Sequence, residues 1–473
     1  MFPTGPTPIS RRAMLNRSAV GFGSMALASL LGQEARAEVS ARPLAPAAPH
    51  FPARAKRIIF LFMSGGPSQV DTFDYKPLLT RDDGKPLPFE KPRVQFNATA
   101  NLLKSPWEFK QYGESGLWVS DLFPHVAQRV DDLCMIHSMH GTNPAHGGAV
   151  MKVHTGSDNF VRPSIGSWVS YGLGTENQNL PAFVTICPTL AFGGINNWSS
   201  AFLPAVYQGT PFGNAAVPSV KAEVKYIRNS RWPREVQEIQ LRQLARMNQE
   251  HQAHSGPEAS LEARISSFEL AFRMQNELPK VEDLSSESEA TQKLYGLDNP
   301  VTANFGRMCL KARRFAEAGV RFIQVTHNDD KVQWDQHSDL KAGHEKNARE
   351  VDLPIAGLLY DLKARGLLED TLVWWGGEFG RTPTAEGGGT GRDHNQEGFT
   401  MWLAGGGVKG GFRYGSTDDY GYYAAENKVH IHDLHATMLH LLGLDHERLT
   451  YRHAGRDFRL TDVHGKVVTD VIS

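Results

Sequence analysis

The feature that most constrains the fold is a set of continuous apolar runs, each ending in glycine or in polar residues. "KRIIFLFMSGG" at 56–66, "VRFIQVTHN" at 320–328 and "TLVWWGGE" at 371–378 share this form. A strand that is apolar at successive positions has both of its faces buried, as the strands of parallel sheets do. The chain is therefore predicted to build a sheet that is covered on both sides.

Helical segments lie between these runs. One helix presents Met308, Ala312 and Phe315 on a single face and is predicted to end at Gly319. A second helix precedes the run at 371–378, and its apolar stripe consists of Val351, Ile355, Leu358, Leu359 and Leu362. Because strand and helix alternate, we expect an α/β fold with a mostly parallel central sheet and helices on both faces.

The N-terminal residues have the composition of an export signal. "SRRAMLNRSAVGFGSMALASLLGQEARA" contains the pair Arg11-Arg12, a short apolar stretch and a small-x-small end. It resembles the bacterial Tat signal, so residues 1–37 are predicted to be a Tat signal peptide. The protein is then expected to be periplasmic or secreted, with the Tat export machinery as a partner. The apolar stretch is too short for a stable membrane span, and a basic amphipathic N-terminus is the alternative interpretation.

The rest of the chain is predicted to be a short linker, residues 38–54, followed by one domain, residues 55–473. Within that domain the character changes at about 220–297, where the sequence is charged, helical in pattern and poor in β-branched residues. "HSGPE" supplies a turn in the middle of this segment, which predicts an inserted helical hairpin. Both a solvated cap on the core and a substrate lid fit this pattern.

The composition excludes several classes of partner. The chain has 473 residues and a formal net charge of -1, so no overall field attracts nucleic acid or an acidic membrane. The three cysteines are far apart and lack the spacing of a metal site. Stability is therefore expected to come from the core rather than from disulfides. The oligomeric state is left open.

Polar residues follow the apolar runs at the point where each predicted strand ends. Parallel sheets bind ligands at the carboxyl ends of their strands, and carboxylates with imidazoles are the ligands of Zn²⁺, Mn²⁺ or Fe. The predicted metal ligands are Asp71, Asp335, His337, Glu378, Asp393 and His394. The alternative is a salt-bridged rim, in which Arg381 and Arg392 balance Glu378 and Asp393.

A second candidate stretch is "MHGTNPAHGGAVMKVHTGSD". Its glycines are suited to open a helix whose N-terminal amides face an anion. Thr142 and His146 are the candidate nucleophile or proton carrier, and Arg381 is expected to neutralise charge on ester oxygens. A polar loop with a helix cap is the alternative.

The stretch at 181–212 is rich in proline, glycine and aromatic residues and predicts a long ordered loop. Trp198, Phe202 and Tyr207 are candidates either for stacking on a sugar ring or for packing on the core.

Several motifs together resemble a known family. "FLFMSGGPSQVDTFDYKP", "WDQHSDL", "TLVWWGGEFGRTP", "GRDHN" and "LAGGGVKGG" are similar to motifs of a Tat-exported, sulfatase-like family of unknown function, domain of unknown function 1501. That family is related to the alkaline-phosphatase-like superfamily. The resemblance implies a sheet flanked by helices and a one- or two-metal site at its strand ends.

Some residues match the functional positions of the superfamily, and others depart from them. Glu378 stands where the superfamily has a metal-ligating Asp, and His394 matches a histidine contributed by a later loop. Asp335 and His337 match an Asp and a His after the preceding strand. The sulfatase nucleophile motif begins with Cys or Ser, whereas His146 holds that position here. Asp71 is the nearest substitute for the Asp expected after the first strand.

These observations predict an exported, metal-dependent hydrolase of sulfate or phosphate esters, with a small-molecule or polysaccharide ester as substrate. The divalent metal is left open among Zn²⁺, Mn²⁺, Ca²⁺ and Mg²⁺. The alternative is a non-catalytic sulfatase-like relative that binds carbohydrate or a protein partner at the same rim.

Overall fold

The computed structural model describes residues 43–90, 100–225, 227, 229, 231–256, 259–328 and 333–473. The predicted Tat signal peptide, residues 1–37, lies outside the described residues, as does the start of the predicted linker. Among the helices of the described part, none is long and apolar enough to cross a membrane.

The strands and helices are numbered in chain order. The strands are β1 (Arg57–Met63), β2 (Phe109–Tyr112), β3 (Leu117–Ser120), β4 (Leu133–His140), β5 (Phe183–Ile186), β6 (Thr210–Phe212), β7 (Phe322–His327), β8 (Thr371–Gly376), β9 (Gly380–Arg381), β10 (His394–Asn395), β11 (Phe399–Ala404), β12 (Phe412–Tyr414), β13 (Ser416–Thr417), β14 (Ala424–Glu426), β15 (Val429–His430), β16 (Tyr451–His453) and β17 (Arg456–Phe458). The α-helices are α1 (Gln69–Thr72), α2 (Pro77–Arg81), α3 (His146–Thr155), α4 (Ile165–Leu173), α5 (Arg234–Ser255), α6 (Ala259–Glu282), α7 (Glu289–Leu294), α8 (Ala303–Glu317), α9 (Leu340–Ala364) and α10 (Ile431–Leu441). Short 3₁₀ turns lie at Val126–Asp132, Gly194–Trp198, Ala205–Tyr207, Ser219–Lys221, Leu284–Ser286, Gly387–Gly389 and Thr469–Val471.

The central sheet has nine strands in the order β12-β4-β11-β8-β1-β7-β5-β6, with β15 pairing to β4. Strand β11 is antiparallel to both of its neighbours, and the other pairings within this sheet are parallel. Helices pack around the sheet, so the predicted α/β class with a mostly parallel sheet is confirmed.

The three apolar runs form the adjacent strands β8, β1 and β7 in the interior of the sheet. Strands in that position are buried on both faces. Every residue of β1 and β8 is buried. The rings of Phe60 and Trp374 stack across the two strands, with centroids 3.5 Å apart and planes 6° apart. The register pairs Met63 with His327 and Phe62 with Gly376. The three strands therefore end at the same edge of the sheet, where their following loops meet.

The region for which a helical hairpin was predicted contains the two long helices α5 and α6, and the predicted "HSGPE" turn falls where one ends and the next begins. Helix α6 turns Leu270, Met274 and Leu278 into the core. Helix α5 lies on the solvent side, where Ile239 and Met247 are more than half exposed.

Candidate metal centre

Three imidazoles and one carboxylate meet beyond the carboxyl ends of β1, β7 and β8. We call His146, Asp335, His337 and His394 the rim cluster. Nε2 of His337 lies 3.0 Å from Nε2 of His394 and 3.0 Å from Oδ1 of Asp335. Nε2 of His394 is 3.2 Å from Oδ1 of Asp335, and Nε2 of His146 is 3.2 Å from Oδ2. Segments that are remote in the chain thus converge at one edge of the sheet.

The Nδ1 atom of each of these imidazoles is held by an oxygen outside the cluster. His146 binds Oε1 of Glu378 at 2.7 Å, His337 binds Oε2 of Glu386 at 2.7 Å, and His394 binds the carbonyl oxygen of Pro144 at 2.6 Å. Since a carbonyl or carboxylate accepts, the Nδ1 atoms carry the protons. In the neutral ring, Nε2 then points a lone pair at the cluster. Histidines that bind metals have this arrangement of a second hydrogen bond.

Local backbone conformation places the carboxylates. Gly65 follows β1 at a φ of 110°, and an added Cβ there would lie 2.6 Å from the Trp334 nitrogen and 2.7 Å from the Asp335 nitrogen. Only glycine lets the loop that carries Asp335 approach this closely. The N–H of Gly65 also donates to both oxygens of Glu378, at 3.0 and 3.1 Å. The end of β1 therefore orients both acids.

The loop that carries His394 folds back on itself. Strand β10 pairs with β9 in antiparallel register, opposite Arg381, and Glu386 bridges to Gly391. The same loop delivers the carboxylate of Glu386 to His337. This one loop thus supplies His394 to the cluster and also supplies Glu386, the acceptor that orients His337.

The protonation of the cluster follows from its hydrogen bonds. Burial acts to raise the pKa of Asp335, but its contacts with the three imidazoles and the nearby Arg381 charge hold it well below its usual range. Burial lowers the pKa of His394 to about 4, so this imidazole is neutral. The hydrogen bond to Asp335 raises the pKa of His337. Burial acts to lower the pKa of His146, and its contacts with the carboxylates of Asp335 and Glu378 overcome it.

Asp393 adds a further acid beside the cluster. Its Oδ1 accepts the N–H of His394 at 2.7 Å, while its buried Oδ2 has no hydrogen-bond partner. Burial raises the pKa of this carboxyl. With Asp335, Glu378 and Glu386 it makes a group of acids that Arg381 alone does not balance.

Two overlapping sets of side chains each offer three ligand atoms that lie within 4.8 Å of one another. They are His146, Asp335 and His394, and His337, Asp393 and His394. Nε2 of His146 is buried and makes no well-directed hydrogen bond, although it lies 3.2 Å from Asp335. Two imidazoles with one carboxylate are a donor set of Zn²⁺ sites and of Fe²⁺ sites, and they leave positions open for other ligands.

Four of the candidate residues lie outside the rim cluster and outside both ligand sets: Glu378, Arg381, Asp71 and Thr142. Glu378 bonds to His146 and Gly65 and so orients a ligand. Arg381 is fully buried; its Nε donates to the Gly66 carbonyl at 3.0 Å and its Nη2 to Asp335 at 2.6 Å. The guanidinium is engaged by the protein, and its expected contact with an ester stays a prediction.

Asp71 and Thr142 are also separate from the rim cluster. Asp71 accepts two hydrogen bonds from Arg392, at 2.7 and 3.1 Å, and one from Ser68 at 2.5 Å. Both oxygens of Asp71 are engaged there, and its role as a metal ligand stays a prediction. Thr142 is exposed and donates to Asp158 at 3.3 Å, and its role as nucleophile stays a prediction. The predicted salt-bridged rim also differs, since Arg381 pairs with Asp335 and Arg392 with Asp71.

The three aromatic candidates of the long loop pack inside the protein. Trp198 is 3% exposed and Tyr207 is 7% exposed, so the core-packing alternative holds for both. Phe202 stacks on His453, with ring centroids 4.8 Å apart and planes 11° apart. The loop instead presents Phe192, whose ring centroid lies 4.9 Å from that of His146.

The family model described as "Protein of unknown function (DUF1501)" matches residues 55–472, and the chain belongs to this family. No protein in the curated comparison matches the sequence significantly.

Solved structures similar to this chain share little sequence with it. "Ps i-CgsB" is 12% identical, with 82% of this chain and 72% of that chain covered and a TM-score of 0.37. The lipoteichoic acid synthase LtaP from Listeria monocytogenes is 9% identical, with 89% and 79% covered and a TM-score of 0.35. The alkaline phosphatase from the Antarctic bacterium TAB5 is 8% identical, with 82% and 98% covered and a TM-score of 0.34. At such TM-scores the likeness assigns no activity to this chain.

Proposed function

We propose that this member of the DUF1501 family is an exported, metal-dependent hydrolase of sulfate or phosphate esters, including esters of polysaccharides. The observation that carries the proposal is the convergence of three imidazole Nε2 atoms on Asp335 while each Nδ1 is held from outside. A surface that only binds carbohydrate has no need of this arrangement.

The residues present fit a divalent cation. His146, Asp335 and His394 would hold it, and His337 and Asp393 provide a second, overlapping set. The Nε2 atoms of His337 and His394 are in contact, and two lone pairs would repel each other there. One of the two Nε2 atoms must therefore carry a proton. His337, with its raised pKa, supplies that proton, and metal binding is expected to release it.

A cation bound there would polarise a sulfate or phosphate ester and lower the pKa of a water molecule. The chain itself supplies orientation: Glu378 and Glu386 fix the rings of His146 and His337, and Arg381 fixes Asp335.

Water is the nucleophile that this site favours. The three cysteines are buried, and burial raises the pKa of Cys134 to about 12 and of Cys187 to about 11. Thr142 bonds to Asp158 instead of to the cluster. We therefore propose direct hydrolysis of the ester, without a covalent intermediate on this chain.

Metal analysis with a substrate panel tests the proposal. The purified protein is expected to contain about one equivalent of a transition metal and to hydrolyse aryl sulfates or aryl phosphates with added Mn²⁺, Zn²⁺ or Ca²⁺. The variant His394→Ala should lose both, whereas His254→Ala, an exposed histidine on α5, should keep both. A metal-free protein without turnover on either ester class contradicts the proposal.

The second candidate is a non-catalytic relative that binds carbohydrate at the same rim. The burial of all three cysteines favours it, because their thiols are not available as nucleophiles. It predicts sugar binding that persists after the metal is removed with a chelator, together with no ester hydrolysis.

A further inference from the structure

One segment beside the rim cluster has an unusual backbone conformation. Phe192 has a φ of 40°, in the left-handed region that bulky side chains rarely adopt. The conformation is held in place by Asn197, which is 2% exposed and whose Nδ2 donates to the Phe192 carbonyl at 3.0 Å. Gly193 follows at a φ of 87°, and a Cβ there would lie 2.4 Å from Oδ1 of Asn197. Such strain persists where the surrounding structure imposes it, and it concentrates at functional sites.

The strained backbone presents the Phe192 ring to the rim cluster. The ring centroid lies 4.9 Å from that of His146, with the planes 34° apart. Phe379 lies against the same imidazole at 4.9 Å and is 1% exposed. Phe192, in contrast, is 38% exposed. One aromatic ring therefore packs the cluster from inside, and the other has a face available to solvent.

Two further apolar side chains of the same loop are exposed. Leu190 is 65% exposed and Ile195 is 64% exposed. The loop is anchored beneath them by Trp198, which is 3% exposed. Exposed apolar side chains in a loop that contacts a polar site, as Phe192 contacts His146 here, mark a surface that recognises a ligand.

We propose that Phe192, flanked by Leu190 and Ile195, is a specificity-determining platform that selects esters whose alcohol part carries a ring. The shared chemistry is a flat face of low polarity, which both an aryl group and a pyranose present. The inference rests on the proposed function for its location and deepens it by naming the substrate class. The anionic ester group faces the rim cluster, and the ring lies on Phe192.

Binding of ligands that are not hydrolysed tests the platform separately from catalysis. Calorimetry on the metal-loaded protein compares phenylphosphonate with methylphosphonate. The wild type is expected to prefer the phenyl compound by about tenfold, as a single aromatic contact allows. The variant Phe192→Ala should lose that preference, and Phe192→Tyr, which keeps the ring, should retain it. Equal binding of the two compounds by the wild type, or a preference that survives in Phe192→Ala, overturns the proposal.

The matched control is Phe160→Ala. Phe160 is 66% exposed and follows the opposite end of α3, so its removal deletes an exposed phenylalanine without touching the platform. Phe160→Ala should keep the phenyl preference. Metal content equal to the wild type in Phe192→Ala shows that the variant is folded and its cluster intact.

Kinetic measurements distinguish aryl esters from sugar esters as substrates. They also distinguish a failure of this inference from a failure of the proposed function. The values of kcat/KM for phenyl sulfate and for glucose 6-sulfate are compared with that for ethyl sulfate. Hydrolysis of all three at equal rates overturns the platform and leaves the hydrolase intact. A phenyl preference in binding that depends on Phe192, without hydrolysis of any ester, supports the platform and contradicts the hydrolase.

Discussion

Two regions of the molecule collect histidines, and they differ in where the imidazole lone pairs point. In the rim cluster the Nε2 atoms face one another and Asp335. In the second region, which we call the α10 histidine group, neighbouring rings lie 4.9 to 6.5 Å apart. It consists of His140, His430, His432, His435 and His464.

The imidazoles of the α10 histidine group form hydrogen bonds with backbone atoms. Nε2 of His432 donates to the Gly156 carbonyl and Nε2 of His435 to the Val153 carbonyl, each at 2.8 Å. The Nδ1 atoms of both rings are buried without a hydrogen-bond partner. Helix α10 is thereby tied to the end of α3, which also carries His146 at its start.

The two regions also differ in the number of acidic side chains near their imidazoles. Asp433, the acid on α10, accepts the N–H groups of His430 and Lys466. Burial lowers the pKa of His430 to about 3 and that of His432 to about 4, so these two imidazoles are neutral. Within the described residues, both sets of side chains that could hold a metal lie in the rim region. The comparison indicates that convergent Nε2 atoms and excess acid, and not the number of histidines, distinguish the candidate cation site.

Removal of Asp335 is expected to have the largest effect on this comparison. Asp335 contacts all three imidazoles of the rim cluster, so Asp335→Ala should weaken metal binding by more than about 100-fold, beyond what outer partners contribute. Ester hydrolysis should be lost with the metal. Metal titration by calorimetry measures the first effect, and a variant that binds metal as tightly as the wild type would falsify the assignment.

Removal of an outer acid should have a smaller effect. Glu378→Gln and Glu386→Gln keep an acceptor for the imidazole Nδ1 but remove the negative charge that makes each ring a stronger ligand. Metal affinity is expected to fall by about 10- to 100-fold, with activity recovered at higher metal concentration. The control is Glu447→Gln on an exposed glutamate, which should leave the affinity unchanged. Equal affinity in all three variants would show that the acids do not orient the ligands.

The α10 histidine group should instead respond to acid. Burial lowers the pKa of His435 to about 3 from the ordinary 6.5, so between these values the unfolded chain binds a proton that the folded chain does not. This contribution to stability is present above pH 6.5 and is lost as the pH falls, at up to about 1.4 kcal/mol per pH unit. His435→Gln, which keeps a donor but does not titrate, should reduce the loss. Urea unfolding of chelator-treated protein at pH 7 and pH 4.5 measures it, and identical losses in both proteins contradict it.

The sequence contained most of the fold because burial on both faces leaves a local pattern. The continuous apolar runs became β1, β7 and β8 with nearly the predicted bounds. The run "FTMWLAGGG" has the same apolar form, and its first six residues form β11. Its antiparallel direction was not readable, because direction is set by pairing partners and not by the residues of the strand.

The candidate site was only partly readable for a related reason. The rule that loops after parallel strands share one edge located Asp335, His337 and His394. Glu386 was missed, because it lies 49 residues from His337 in the chain and no local pattern marks it. The Pro144 carbonyl that orients His394 is a backbone atom and leaves no signal in side-chain types.

Long-range pairing also explains why the carboxylate of Asp71 is engaged by an arginine. Asp71 lies close in sequence to the end of β1, which made it a plausible ligand. Its partner Arg392 is 321 residues away, and only the folded chain shows that this guanidinium occupies both of its oxygens.

The smallest effect is expected at the surface of the α10 histidine group. His464 is exposed and stacks on His432, with centroids 5.1 Å apart and planes 18° apart. His464→Ala removes one imidazole from the richer of the two histidine regions, yet it touches neither the convergent Nε2 atoms nor the excess acid. Metal content should therefore be unchanged, and the free energy of unfolding should change by no more than about 0.5 kcal/mol, as for other surface positions. Elemental analysis and urea unfolding check both values; a loss of metal in this variant would mean that histidine number, and not lone-pair geometry, decides where this protein holds a cation.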